Sequence, residues 1–217
     1  VNKIQSDYLN MKEFTEDAAH EMQTPLAVAQ SKMELLLQDP KLTEEQSDAI
    51  MQATTAMQNL GKLNQSLLLL AKIENHQYEA ENAIDLVQVT KKYLQLFDEI
   101  IKDQEIEVEM EFVQVFPVKI HSLLADSLIS NLLGNAIKHN YSGGKITIEV
   151  NEGRYCTSNT SIQPAIDNQR LFKRFGSPVK KNQTSNGLGL AIVKRIADTH
   201  NLSVSYNFNG AVHRFCL

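Results

Sequence analysis

The sequence predicts a long helical hairpin followed by an α/β two-layer sandwich, with the hairpin pairing with a second copy of itself into a four-helix bundle. Three observations predict it. Apolar residues recur in steps of three and four at Tyr8, Met11, Phe14, Ala18, Met22, Leu26, Ala29, Met33 and Leu36, the signature of one helix face. A second stripe follows at Ile50, Ala53, Met57, Leu60, Leu63, Leu67 and Leu70. Beyond Asn75-His76-Gln77 the stripe stops, and helical periods mix with alternating, strand-like ones.

The hairpin is justified first. Gln38-Asp39-Pro40 breaks the pattern, and Thr43-Glu44-Glu45-Gln46 reads as a capping box that opens the second helix. Two helices joined by a short connection lie antiparallel. One hairpin has too little core to stand alone, and pairing two into a bundle buries both stripes, which predicts a homodimer. The domain boundary falls near residues 74–82, giving a hairpin domain over 1–76 and a sandwich domain over 77–217.

In the second part, 84–101 looks helical and 105–112 alternates as a strand. Residues 120–139 read as a helix. Two strands over 145–150 and 154–158 turn tightly at Asn151-Glu152-Gly153. A helix over 187–199 follows. The chain closes on a hairpin, 202–208 and 211–217, through Asn209-Gly210. Helices alternating with strands mostly joined as hairpins pack economically as two layers.

Composition narrows the function. The 217 residues carry 21 Lys and Arg against 26 Asp and Glu, a net charge of −5. An acidic surface attracts phosphate backbones poorly, so no nucleic-acid partner is expected. Cys156 and Cys216 are two and far apart, too few for a disulfide framework or a zinc site, and a reducing compartment fits best. The longest apolar run, Leu67–Ala71, falls far short of the roughly 20 residues of a membrane helix. The opening at Val1 in mid-helix style reads as that of an excised fragment.

Three segments carry chemistry. Asp17, His20, Glu21 and Thr24 cluster on one helix side, opposite Ala18, Met22 and Leu26, so His20 faces solvent. An exposed His is most often a plain surface residue. Here Glu21 stands ready to orient or deprotonate the ring, and Pro25 should kink the helix just beyond it by clashing with the Glu21 carbonyl. Neutral imidazole is a capable nucleophile. No second His follows at i+4, so the zinc-protease pattern fails. On the helix over 120–139, Asn131, Asn135 and Lys138 share a face at i, i+4 and i+7. Amide oxygens suit Mg²⁺ and a lysine suits phosphate, although a polar helix face is often simply wet. Ser185-Asn186-Gly187-Leu188-Gly189-Leu190 opens a helix, where glycines let backbone N–H groups approach phosphate.

Together these pieces resemble a sensor histidine kinase of a bacterial two-component system. The stretch from Phe14 to Leu26 resembles that family's H box, Asn131–Lys138 its N box, Leu171-Phe172-Lys173-Arg174-Phe175 its F box and Ser185–Leu190 its last glycine-rich box. The order and spacing match over nearly the whole chain. The resemblance implies a dimerisation and phosphotransfer hairpin followed by an ATP-binding domain of the kind shared with Hsp90-type ATPases and gyrase. An ATPase of that kind alone leaves the exposed His with its Glu and Pro unexplained.

Further implications follow from the resemblance. His20 is the phosphoacceptor, Glu21 the general base, and Thr24 positions water when phosphate is stripped from a partner regulator. Asn135 coordinates Mg²⁺, Asn131 and Lys138 contact the phosphates of ATP, and Gly187 and Gly189 open the helix beside them. The partner is a response regulator receiver domain. An N-terminal sensor would supply the only membrane contact, making this chain the cytoplasmic fragment of an inner-membrane protein. The pattern departs at Cys156–Gln163: Asn159 stands where the family has the adenine-binding Asp, and Ser161 and Gln163 replace glycines. An uncharged acceptor there predicts nucleotide binding weaker by about five- to tenfold. It also opens the alternative of a pseudokinase, a dimeric scaffold that has lost ATP turnover.

Overall fold

A computed structural model describes residues 21–79, 82–176 and 187–217. His20 lies outside them. Among the described residues the chain divides into two compact units, one of residues 21–77 with 187–188 and one of residues 78–79, 82–176 and 189–217.

The first unit is the helical hairpin. Helix α1 spans 21–37 and runs unbroken through Pro25. In the turn, Asp39 Oδ1 accepts from the Lys41 backbone N–H at 2.9 Å. Helix α2, Glu44–Glu74, opens on the expected capping box. Thr43 Oγ1 accepts from the Gln46 N–H at 3.2 Å, and Gln46 Oε1 accepts from the Thr43 N–H at 3.0 Å. His76, just past the end of α2, takes φ +50°, a left-handed exit common after helices. Leu26, Ala29, Met33 and Leu37 are half-buried, and Thr54 Oγ1 reaches Met33 Sδ at 3.5 Å. Leu36 was expected in this stripe, yet it is 54% exposed, as are Leu60 (51%) and Leu67 (37%). One hairpin covers only part of its own apolar surface.

The second unit is the sandwich. Its elements are β1 (Ala83–Asp85), α3 (Leu86–Leu96), α4 (Asp98–Asp103), β2 (Glu107–Phe112), β3 (Pro117–Lys119), α5 (Ser122–Lys138), β4 (Lys145–Asn151), β5 (Arg154–Thr160), α6 (Asn168–Leu171), α7 (Gly189–Thr199), β6 (Ser205–Phe208) and β7 (Val212–Cys216). Five strands form one sheet in the order β2-β4-β5-β7-β6. β2 pairs parallel with β4 and the other neighbours pair antiparallel. Alternate residues of a strand face opposite sides. Ile146, Ile148, Val150, Tyr155 and Phe215 are all buried on the side where α5 meets β5, α3 and α7. Tyr155 shows which face this is, because its Oη shares a 2.8 Å hydrogen bond with Thr90 Oγ1 on α3. Glu149, Cys156, Arg214 and Cys216 alternate onto the opposite face.

Two sequence expectations change. Residues 84–101 are not one helix. Asp85 Oδ1 accepts from Val87 N–H at 3.1 Å as an N-cap and from Phe116 N–H at 2.9 Å. That distant partner turns 83–85 into a strand paired with β3, and Phe97 separates α3 from α4. The cysteines also meet. Cys156 and Cys216 face each other across β5 and β7 and form a disulfide over a separation of 60 residues. Antiparallel pairing brings together what the linear spacing kept apart.

Candidate functional site

Glu21 and Thr24, three residues apart, share a face of α1. Both are exposed.

Helix α5 builds the second part of the site. It opens on His121, whose Nδ1 accepts from the Leu123 N–H at 3.2 Å. It buries Leu124, Leu128, Ile129, Leu132, Leu133, Ala136 and Ile137. That burial fixes its rotation, leaving Asn131 and Asn135 half-buried and Lys138 exposed along one edge. Asn131 Nδ2 donates to the Ser127 carbonyl at 2.7 Å and lies 3.3 Å from Ser127 Oγ. The amide nitrogen thus points back along α5 and Oδ1 points outward to Gly189, the first residue of α7. A β-carbon on Gly189 would lie 2.6 Å from that oxygen, so glycine alone lets the α7 N-terminus come this close. Gly187 takes φ +64°, a conformation that glycine adopts without strain. Partial burial lowers the Lys138 ammonium pKa. The Asn135 carboxamide has no hydrogen-bond partner among the described residues, which leaves a hard oxygen donor beside Lys138.

Asn159 lies near the end of β5, 2% exposed. Its Nδ2 donates to the Thr160 carbonyl at 2.9 Å and approaches the His139 carbonyl at 3.4 Å. Carbonyl oxygens only accept, so the amide nitrogen faces them and Oδ1 turns away. Around it stands a cluster that linear reading missed. The Gln163 side chain lies beside the His139 ring, whose buried Nδ1 has no hydrogen-bond partner among the described residues, and its backbone lies beside the His213 ring. Tyr206 Oη lies 2.7 Å from His213 Nδ1 and accepts from the Ile166 N–H at 3.1 Å. Ser161 Oγ accepts from the Gln163 N–H at 3.0 Å. The residues standing where the family has glycines therefore pin their own loop. Burial lowers the pKa of both histidines, and for His139 the Lys138 charge adds to the effect. No local pattern flags this cluster, since its members come from the C-cap of α5, from β6, from β7 and from a loop.

The stretch resembling an F box begins at the end of α6 with Leu171 buried and ends with Phe175 57% exposed at φ +58°. A β-carbon on the next residue, Gly176, would overlap the Arg170 carbonyl oxygen. Among the described residues no three His, Cys, Asp or Glu side chains gather as a metal site, and no helix is long and apolar enough to cross a membrane.

Residues 10–76 match the His Kinase A (phospho-acceptor) domain, and residues 121–217 match the histidine kinase-, DNA gyrase B- and HSP90-like ATPase family. The chain belongs to the sensor histidine kinases. The heme sensor protein HssS of Staphylococcus aureus (strain Newman) is 31% identical over 208 residues, which is 89% of this chain and 43% of that protein. Sensor protein IrlS of Burkholderia pseudomallei is 26% identical over 209 residues, 92% of this chain and 45% of that one. The chain thus spans less than half the length of these relatives. Full-length ShkA in complex with AMPPNP shares the fold at TM-score 0.71 and 22% identity, over 94% of this chain and 44% of that one. Histidine kinase AdeS of Acinetobacter baumannii does so at TM-score 0.59 and 22% identity, over 91% and 95%.

Proposed function

We propose that this sensor histidine kinase uses ATP to phosphorylate His20 and passes the phosphoryl group to an aspartate on a response regulator receiver domain. The observation that carries the reading is the contact of Asn131 with Gly189, where an amide-bearing helix edge meets a glycine-opened helix N-terminus. Such an N-terminus favours negative charge and offers unpaired N–H groups. Asn131 and Lys138 would bind the phosphates there, and Gly187 and Gly189 would admit them. Asn135 would hold Mg²⁺, which its unbonded amide oxygen fits. The ion would neutralise charge on the phosphates. Asn159 would offer Oδ1 to the adenine amino group, as an uncharged acceptor.

In the transfer, a His20 ring nitrogen forms a bond to the γ-phosphorus as the bond to the ADP oxygen breaks, and Glu21 accepts the imidazole proton. Thr24 would position water for the reverse task of removing phosphate from the regulator. The exposed Leu36, Leu60 and Leu67 support a homodimer through the hairpin. The domains would run 1–76 and 77–217, with a hinge near residue 76 bringing nucleotide to His20. The chain would be the cytoplasmic part of an inner-membrane protein.

Calorimetry with a non-hydrolysable ATP analogue and Mg²⁺ tests the nucleotide half. The expected result is saturable binding at one site per chain, weakened by Asn135→Ala. No binding at millimolar nucleotide contradicts the proposal and leaves the scaffold alternative.

A further inference from the structure

We propose that Cys156 and Cys216 form a reversible thiol–disulfide exchange site, opened by a small thiol that carries a carboxylate, and that the bond sets the nucleotide affinity of its domain. The proposal rests on the ATP-dependent reading above. ATP chemistry puts the chain among cellular thiols, where a protein disulfide is more often a transient redox device than a structural one.

Four observations carry it. The bond lies on the sheet face opposite α3, α5 and α7, so those three helices do not cover it. It borders a cavity of about 180 Å³ lined by both cysteines with Glu149, Arg154 and Arg214. Cys216 is half-buried, whereas Cys156 is 3% exposed, which makes Cys216 Sγ the sulfur that a thiol reaches. Arg214 is already paired with Glu149 at 2.7 Å. Arg154 has no ion-pair partner among the described residues and is left for the carboxylate of the incoming thiol.

The exchange balances. A thiolate attacks Cys216 Sγ, forming a mixed disulfide and releasing the Cys156 thiolate, which takes a proton. A second thiolate attacks the small thiol's own sulfur, yielding a free small-molecule disulfide and the Cys216 thiol. Two thiols supply two electrons, and the protein gains two hydrogens. The coupling lies in the ladder. Cys156 pairs with Cys216 three rungs from Asn159 and its partner His213. The two bonds between Tyr155 and Leu217 (3.2 and 2.8 Å) make the cysteine rung a non-hydrogen-bonded one. With no ladder bonds of its own at that rung, it widens when two thiols replace the covalent link.

The test uses the wild-type chain isolated in oxidised and reduced forms, distinguished by the mass shift on thiol alkylation. Millimolar glutathione in native buffer should open the bond, and Arg154→Ala should slow the opening several-fold. ATP-analogue affinity should be about fivefold tighter oxidised than reduced, the lower end of ordinary coupling. The Cys156→Ser/Cys216→Ser protein should match the reduced form and ignore thiols. Opening only in denaturant, or equal affinity in both forms, overturns the proposal. If neither form binds nucleotide, the kinase reading fails separately. Amide exchange at Asn159 and His213 then decides: faster exchange on reduction supports the coupling, and equal rates overturn it.

Discussion

Asn131 Oδ1 occupies the space that a β-carbon on Gly189 would need, at 2.6 Å. The oxygen is held there because the amide nitrogen is engaged by Ser127. Gly189→Ala must therefore displace the Asn131 side chain. Because a hydrogen bond to a charged phosphate is worth about 1.5–3 kcal/mol, ATP-analogue affinity should fall by roughly tenfold or more, with little change in Tm. Asn131→Ala with Gly189→Ala should cost less than the sum of the two, since both remove one contact. Additive losses in calorimetry contradict this.

Asn159→Asp restores the residue that the family pattern has at this position, yet the structure predicts no gain. The carboxylate would face the His139 and Thr160 carbonyls, which now receive amide hydrogens. A buried charge opposed by two acceptors should destabilise by about 1–3 kcal/mol and titrate above the usual carboxylate range. Chemical denaturation at pH 5 and pH 8 checks this. The variant should lose more stability at pH 8, where the carboxylate is charged.

Stability should also follow the histidines. Burial holds the His213 pKa below its ordinary value of 6.5, and that of His139 likewise. Between the folded and unfolded values the unfolded chain binds more protons, so stability rises with pH across that window. It is fully present above about 6.5 and is lost as pH falls from there through the folded values. Tm measured from pH 8 to pH 5 should drop below pH 6.5, and His213→Asn should flatten the drop. An equal drop in the variant removes His213 as a cause.

Exposed apolar residues on the hairpin give a further expectation. Leu60, 51% exposed in one chain, should be covered in the dimer. Burying a Leu side chain contributes about 1.5–3 kcal/mol, and a two-fold interface counts it twice. Leu60→Glu should weaken self-association by about 100-fold or more while helicity by circular dichroism stays constant. Unchanged sedimentation would move the interface elsewhere.

What the sequence made legible was local. The Thr43 capping box, the β4–β5 turn, the rotation of α5 and the Asn131-Asn135-Lys138 edge all follow from spacings within one element. What it hid was paired at a distance. Asp85 caps α3 and also accepts from the distant Phe116 N–H, and β3 is too short to show a period. The cysteines met because β5 and β7 are neighbours, and the Gln163-His139-His213-Tyr206 cluster draws on four separate parts of the chain. Asn159 was legible as a departure. That its amide is already committed to two carbonyls was not.

The most direct measurement concerns His20. Purified protein incubated with Mg²⁺ and γ-labelled ATP should gain one acid-labile, base-stable phosphate per chain at most, and His20→Gln should abolish it while the protein stays dimeric. Label that persists in His20→Gln, or that withstands acid, would contradict the account.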